Sequence, residues 1–229
     1  MIRVERIDTE KTRKAQEILQ KAKKTDSGYN KQEVNEALRQ VFHRKCYLCE
    51  DNDVKSYEIE HLKPHKGNLD LKYEWNNLFL SCRHCNNTKS DKYEPILDCT
   101  IEDVDICIAF RKKGYWGINE TFVFDVLEER EEVINTAKLL DVIYSGTTPQ
   151  KKMEAANLCA DLRKNLAEFK EYVREYMQSD DEVEKEDLLY YIKSELRPDK
   201  AFVAFKRWLL RDNAEYFAEL IEKCEILVR

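Results

Sequence analysis

Two Cys-x-x-Cys pairs, Cys46-Tyr47-Leu48-Cys49 and Cys82-Arg83-His84-Cys85, stand 32 residues apart and constrain this chain more than any other feature. Each pair bends into a knuckle whose thiolates face one point, and two knuckles complete a tetrahedral site. Cys46, Cys49, Cys82 and Cys85 leave no coordination position open, which describes structural Zn²⁺. Two unrelated redox pairs would need a βαβ context that residues 45–49 lack. A small-molecule zinc hydrolase is disfavoured because sulfur fills all four positions. Cys99, Cys107, Cys159 and Cys224 have no ligand spacing and read as buried apolar residues.

Composition sets the frame around that site. The 229 residues suffice to bury a core without staples. With Gly 5 and Pro 4, tight turns must be few, which argues for a helix-rich fold and against a sandwich or barrel. No apolar run approaches a membrane span, and the first residues do not read as a signal peptide, so the expected location is cytoplasmic with reduced thiols. The formal charge is −6. Residues 1–95 hold 19 Lys and Arg against 16 Asp and Glu, and residues 96–229 hold 20 against 29. An acidic total disfavours indiscriminate coating of nucleic acid but permits a basic groove in the first half.

Periodicity predicts a helix over residues 9–24, with Ala15, Ile18, Leu19 and Ala22 as its apolar stripe, and another over 31–43. Ser27-Gly28-Tyr29-Asn30 separates them. All four histidines, His43, His61, His65 and His84, fall in or beside residues 44–92. Strands are expected at residues 106–110 and 121–124, flanking a turn at Lys113-Gly114-Tyr115-Trp116-Gly117. Beyond Leu127 the pattern is helical. One helix carries Val133, Ala137, Leu140 and Val142 and ends near Gly146. Thr148-Pro149 caps a long one carrying Leu162, Leu166, Phe169, Val173 and Met177. Pro198 separates two more, the second with Phe202, Phe205 and Leu209 on one face. The acidic runs at 128–132 and 180–182 read as solvated surface.

The segment between the knuckles carries the chemistry. Tyr57, Ile59 and His61 share one face of a predicted strand, Glu58 and Glu60 the other. A bend after His61 brings Glu60 toward a helix expected to start near Asn86. A carboxylate and an amide oxygen are hard ligands suited to Mg²⁺ or Mn²⁺. Neutral His61 can take a proton from an attacking water. Asn77 is assigned to holding the His61 loop through amide-to-backbone bonds. Asn76 and Asn87 are alternatives to their neighbours, and Asp91 to Asn86 if the helix begins later. His65, Lys63, Lys66, Arg83, Lys89 and Lys92 are candidate phosphate contacts, each weighed against plain solvation. His84 either bonds a phosphate or faces water, while Tyr73 and Trp75 are expected to plug the small core.

In order and spacing, Glu60-His61, Asn77 and Asn86, nine residues after Asn77, resemble the HNH (ββα-metal) nucleases, here as an H-N-N variant. Ile59-Glu60-His61-Leu62-Lys63-Pro64 and Trp75-Asn76-Asn77-Leu78 resemble more narrowly the HNH subunit of Septu-type antiphage systems, including those attached to retrons. The resemblance implies an α+β, mostly α chain: N-terminal helices over 1–44, a zinc-stabilised HNH core over 45–98, and a helical region over 99–229. It implies a metal-dependent endonuclease acting on nucleic acid, DNA ahead of RNA. The implied roles are His61 as general base, Glu60 and Asn86 as metal ligands, and Asn77 as orienting residue. The implied partners are an SMC/ABC-type ATPase and, for retron-attached members, a reverse transcriptase complex. The competing expectation is a non-catalytic zinc module that binds nucleic acid or protein.

Overall fold

The computed structural model describes residues 1–54, 56–114 and 120–226. Thr9 caps α1 (Glu10–Thr25) by accepting from Thr12, and Ala15, Leu19 and Ala22 bury the stripe that periodicity indicated. The chain turns at Gly28, whose φ of 85° suits glycine, and enters α2 (Gln32–Val41). Then comes β1 (Tyr57–His61), α3 (Leu69–Tyr73), a 3₁₀ turn (Trp75–Asn77), β2 (Leu78–Cys82) and α4 (Arg83–Lys89). β1 and β2 pair antiparallel with Ile59 opposite Leu80 and His61 opposite Leu78. A strand–strand–helix unit thus lies between the N-terminal helices and the rest of the chain.

The second half begins with α5 (Val104–Cys107) and the antiparallel pair β3 (Ile108–Lys113) and β4 (Thr121–Val126). Ile106 and Cys107, expected in a strand, close a short helix instead, and β3 starts at Ile108. Tyr115, Trp116 and Gly117 of the expected turn lie outside the described residues. Then follow α6 (Glu131–Ser145), α7 (Pro149–Gln178), α8 (Glu182–Glu195), α9 (Val203–Arg211) and α10 (Ala218–Lys223). The Thr148 hydroxyl accepts from Lys151 N at 3.2 Å and Pro149 opens α7, the cap the sequence indicates. Gly146, with φ 71°, joins α6 to α7; a Cβ there would lie 2.5 Å from the Lys151 carbonyl carbon, so only glycine fits. Phe202 is the cap of α9 at φ 53°, not part of its apolar face.

One hydrophobic cluster draws on residues from Met1 to Trp208 and includes both two-stranded sheets. A second gathers Phe169, Val173, Leu188, Ile192, Leu210 and Leu220. Residues on both sides of positions 44 and 98 share the first cluster, so the strand–strand–helix unit packs as part of a continuous core. Arg6 shows the join: it lies 4.8 Å from the Phe79 ring and donates to the Leu78 carbonyl at 2.7 Å. The architecture is α+β, mostly α. Among the described residues, no helix is long and apolar enough to cross a membrane.

Candidate metal and catalytic site

The sheet brings the knuckles together. Tyr47 N donates to the Leu80 carbonyl of β2 at 3.0 Å, fastening the first knuckle to the strand that leads into the second. Cys82 caps α4, its sulfur accepting from Cys85 N. All four sulfurs are buried and lie within 4.8 Å of one another, with Cys49 and Cys82 at 4.0 Å. A tetrahedral zinc with ordinary Zn–S bonds needs edges of about 3.8 Å. The set fits zinc.

β1 presents two faces with separate jobs. His61 ends the strand at 9% exposure, edge-on to Tyr29 and His65 at 4.6 and 4.8 Å. Its Nε2 lies 3.0 Å from the Lys72 carbonyl. A carbonyl can only accept, so that contact places the proton on Nε2 and leaves Nδ1 as the acceptor. Burial lowers the His61 pKa from its ordinary value, keeping the ring neutral. Asn77 braces the segment that follows. Its amide donates to the Lys63 and Leu71 carbonyls at 2.8 and 3.0 Å, its oxygen accepts from Lys63 N at 2.8 Å, and its carbonyl accepts from Leu62 N.

The opposite face meets α4, which starts at Arg83 rather than near Asn86. Asn86 and Lys89, one helical turn apart, face Glu58 and Glu60, two residues apart on the strand. Asn86 donates to Glu58 at 2.6 Å. Glu60, expected beside Asn86, is 5% exposed with Lys89 Nζ 2.5 Å from its Oε1. Burial raises its carboxyl pKa, while Lys89 pulls the other way. Lys89 also donates to the His61 carbonyl at 2.9 Å and is 1% exposed. It is therefore not a surface phosphate contact: an ammonium that far from water is retained only because a carboxylate and a carbonyl hold it.

Glu58 and Asn86 carry hard oxygen atoms of the kind Mg²⁺ or Mn²⁺ takes, whereas Glu60 is held in an ion pair with Lys89. Of the alternatives to Asn86, Asn87 is exposed and Asp91 lies past the end of α4. Lys63, Lys66, Arg83 and Lys92 are exposed and His65 is half-buried. His84 reaches neither phosphate nor open water: Nδ1 lies 2.7 Å from Glu154 and Nε2 2.8 Å from the Ile143 carbonyl, tying the second knuckle to α6 and α7. Tyr73 is buried, donating to Asp26 and accepting from Gly28 N. Trp75 is buried, and Asn76 is exposed.

Sequence reasoning missed the Tyr29 ring, the Lys72 carbonyl and the Glu58–Asn86 pair. Only the Gly28 break hinted at the first, and the alternation of the strand at the third. A backbone carbonyl partner leaves no residue-type signal.

A family model described as HNH endonuclease matches residues 46–92. Over 99 residues the chain is 33% identical to the Septu protein PtuB of Bacillus thuringiensis, covering 41% of this chain and 37% of that protein. Over 83 residues it is 36% identical to the Septu protein PtuB of Bacillus mycoides (strain KBAB4), covering 30% and 28%. The chain thus spans about a third of the length of these curated relatives. No solved structure matches significantly. The four cysteines, Glu60, His61, Asn77 and Asn86 all lie inside the matched segment, which is similar to HNH endonucleases and to PtuB.

Proposed function

We propose that this chain is a metal-dependent HNH endonuclease that hydrolyses phosphodiester bonds of nucleic acid, DNA ahead of RNA, as the effector of an antiphage defence complex. The observation that carries the reading is the state of His61. With Nε2 donating to the Lys72 carbonyl and burial disfavouring the cation, Nδ1 is a neutral base at physiological pH. It takes the proton of the attacking water as the oxygen bonds to phosphorus and the P–O bond to the leaving strand breaks. Asn77 holds the loop that aims the ring. Asn86 is assigned as a metal ligand with Glu60, which would exchange its Lys89 ion pair for the ion, and Glu58, already touching Asn86, joins them. A bound Mg²⁺ or Mn²⁺ supplies neutralisation of charge on the phosphate and leaving oxygen. Lys63, His65 and Arg83 are assigned to phosphate contacts around this core.

The likeness to Septu proteins supports a role in defence beside a partner. The partner proposed is an SMC/ABC-type ATPase, with a reverse transcriptase complex where a retron is attached; the solvated acidic runs at 128–132 and 180–182 suit such docking.

The test uses purified full-length protein, alone and with its co-purifying partner, on DNA and RNA with Mg²⁺ or Mn²⁺. His61→Ala should abolish cleavage while zinc stays at one per chain; undiminished cleavage by His61→Ala sinks the assignment. Glu58→Gln and Glu60→Gln, titrated with Mn²⁺, identify which carboxylate weakens the ion. Full cellular protection by the Glu60→Ala, His61→Ala double variant would instead establish the non-catalytic zinc module.

A further inference from the structure

A polar cleft of about 590 Å³ opens between α4 and the start of α7. Arg83, Asn87 and Lys92 come from the HNH side; Thr147, Gln150 and Lys151 come from the helical region. Three of these are cations. Arg83 is exposed and lies 4.0 Å from Glu58, so one end of the cleft adjoins the Glu58–Asn86 pair. Glu154 also lines it, but that carboxylate is already engaged by His84 at 2.7 Å and Lys151 and Gln150 at 3.1 Å. Burial pushes the Glu154 carboxyl up, yet those bonds outweigh it and hold it at about 2. Two local devices hold this wall: Gly146, which lets the α6–α7 turn pass against Lys151, and His84, which clamps α7 to the knuckle.

We infer that this cleft binds the backbone phosphates of the nucleic acid on one side of the scissile bond, so that the helical region supplies half of the substrate track. The inference rests on the nuclease reading, which it deepens by naming the residues that seat the strand. Its chemistry is sequence-neutral: the exposed cations Arg83 and Lys92, Lys151 held against the His84 carbonyl and Glu154, and amides and hydroxyls, which grip phosphate oxygens and read no base edge. The net acidity of residues 96–229 does not oppose it, because electrostatic steering depends on local charge and the acidic runs are solvated elsewhere.

The experiment measures binding of fluorescein-labelled duplex DNA, single-stranded DNA and RNA to the zinc-loaded full chain carrying His61→Ala, across a salt series. Arg83→Gln with Lys92→Gln should weaken binding roughly tenfold and reduce the log–log salt slope by about 1 per residue removed. Lys151→Gln should add to the loss. Arg174→Gln, about 35 Å further along α7, should leave it unchanged. Arg83 and Lys92 are exposed, so their replacement leaves folding intact, and zinc content checks that. Unaltered affinity and slope in the Arg83, Lys92 pair, or absence of binding by the parent, overturns the inference. Binding without cleavage by the His61-intact chain leaves the cleft standing and sinks the nuclease reading, so the two failures are distinguishable. The probe that binds most tightly separates DNA from RNA.

Discussion

Among the described residues, two antiparallel strand pairs of similar size are held together in opposite ways. β3–β4 packs one face into an aromatic cluster: Phe205 lies 5.3–5.8 Å from Phe110, Phe122, Phe124 and Tyr144. β1–β2 is buried too, yet β1 carries Glu60 and His61 inside, and four clustered thiols lie at the end where Tyr57 faces Cys82. The first arrangement is paid by apolar area. The second depends on pairing each polar group and on a metal. β1–β2 also packs apolar side chains, with Phe79 5.3 Å from Phe42 and 4.9 Å from Tyr47, but it adds buried polar groups that each need a partner.

Zinc removal should separate the two most sharply. Structural zinc contributes about 10–16 kcal/mol in small zinc modules, comparable with the whole stability of about 5–15 kcal/mol of a typical domain. Chelation, or Cys82→Ala, should abolish the cooperative thermal transition of the β1–β2–α4 unit and, on the proposed function, cleavage with it. Calorimetry with zinc content checks this, and a full-height transition in zinc-free protein breaks the contrast.

Next in size are two side-chain deletions, one per hairpin. Lys89→Met leaves Glu60 as a buried unpaired carboxylate and should cost about 3–5 kcal/mol. Adding Glu60→Gln should recover much of that, because the uncompensated charge disappears. Phe205→Ala should cost about 3–5 kcal/mol through cavity formation, with no rescue by a charge change. Urea unfolding of the three variants measures both. Equal behaviour of the two hairpins would show that the polar pair acts only as filler.

The smallest effect is on pH. The His61 pKa lies below its ordinary 6.5, so the neutral base persists at lower pH than in a free imidazole. Cleavage should rise with pH and level off below 6.5 as far as this group is concerned. Between the lowered folded value and 6.5 the unfolded chain binds more protons at this position, so stability also rises with pH across that window. Exposing the ring by Tyr29→Ala should move the acid limb upward toward 6.5. A pH–rate profile of both proteins decides it.

Cysteine spacing, the Glu60-His61 pair and the helical periodicity were enough to read the four-cysteine cluster, the mostly α architecture and the capped start of α7 from residue order alone. Those features are local: a knuckle needs four residues, a cap needs four, and a stripe repeats every turn. Contacts between distant segments were not legible. Which β1 carboxylate meets Asn86 depends on where α4 begins, and that is set by Cys82 acting as its cap. Lys89 looked like any basic residue near a phosphate site until packing against β1 took it out of water. His84 was drawn away from the substrate by Glu154, 70 positions later. Sequence determined which groups are present and the rhythm of the elements. Only the tertiary structure decided their partners, because burial and the approach of remote chain segments determine whether a charged group is solvated, paired or free to act.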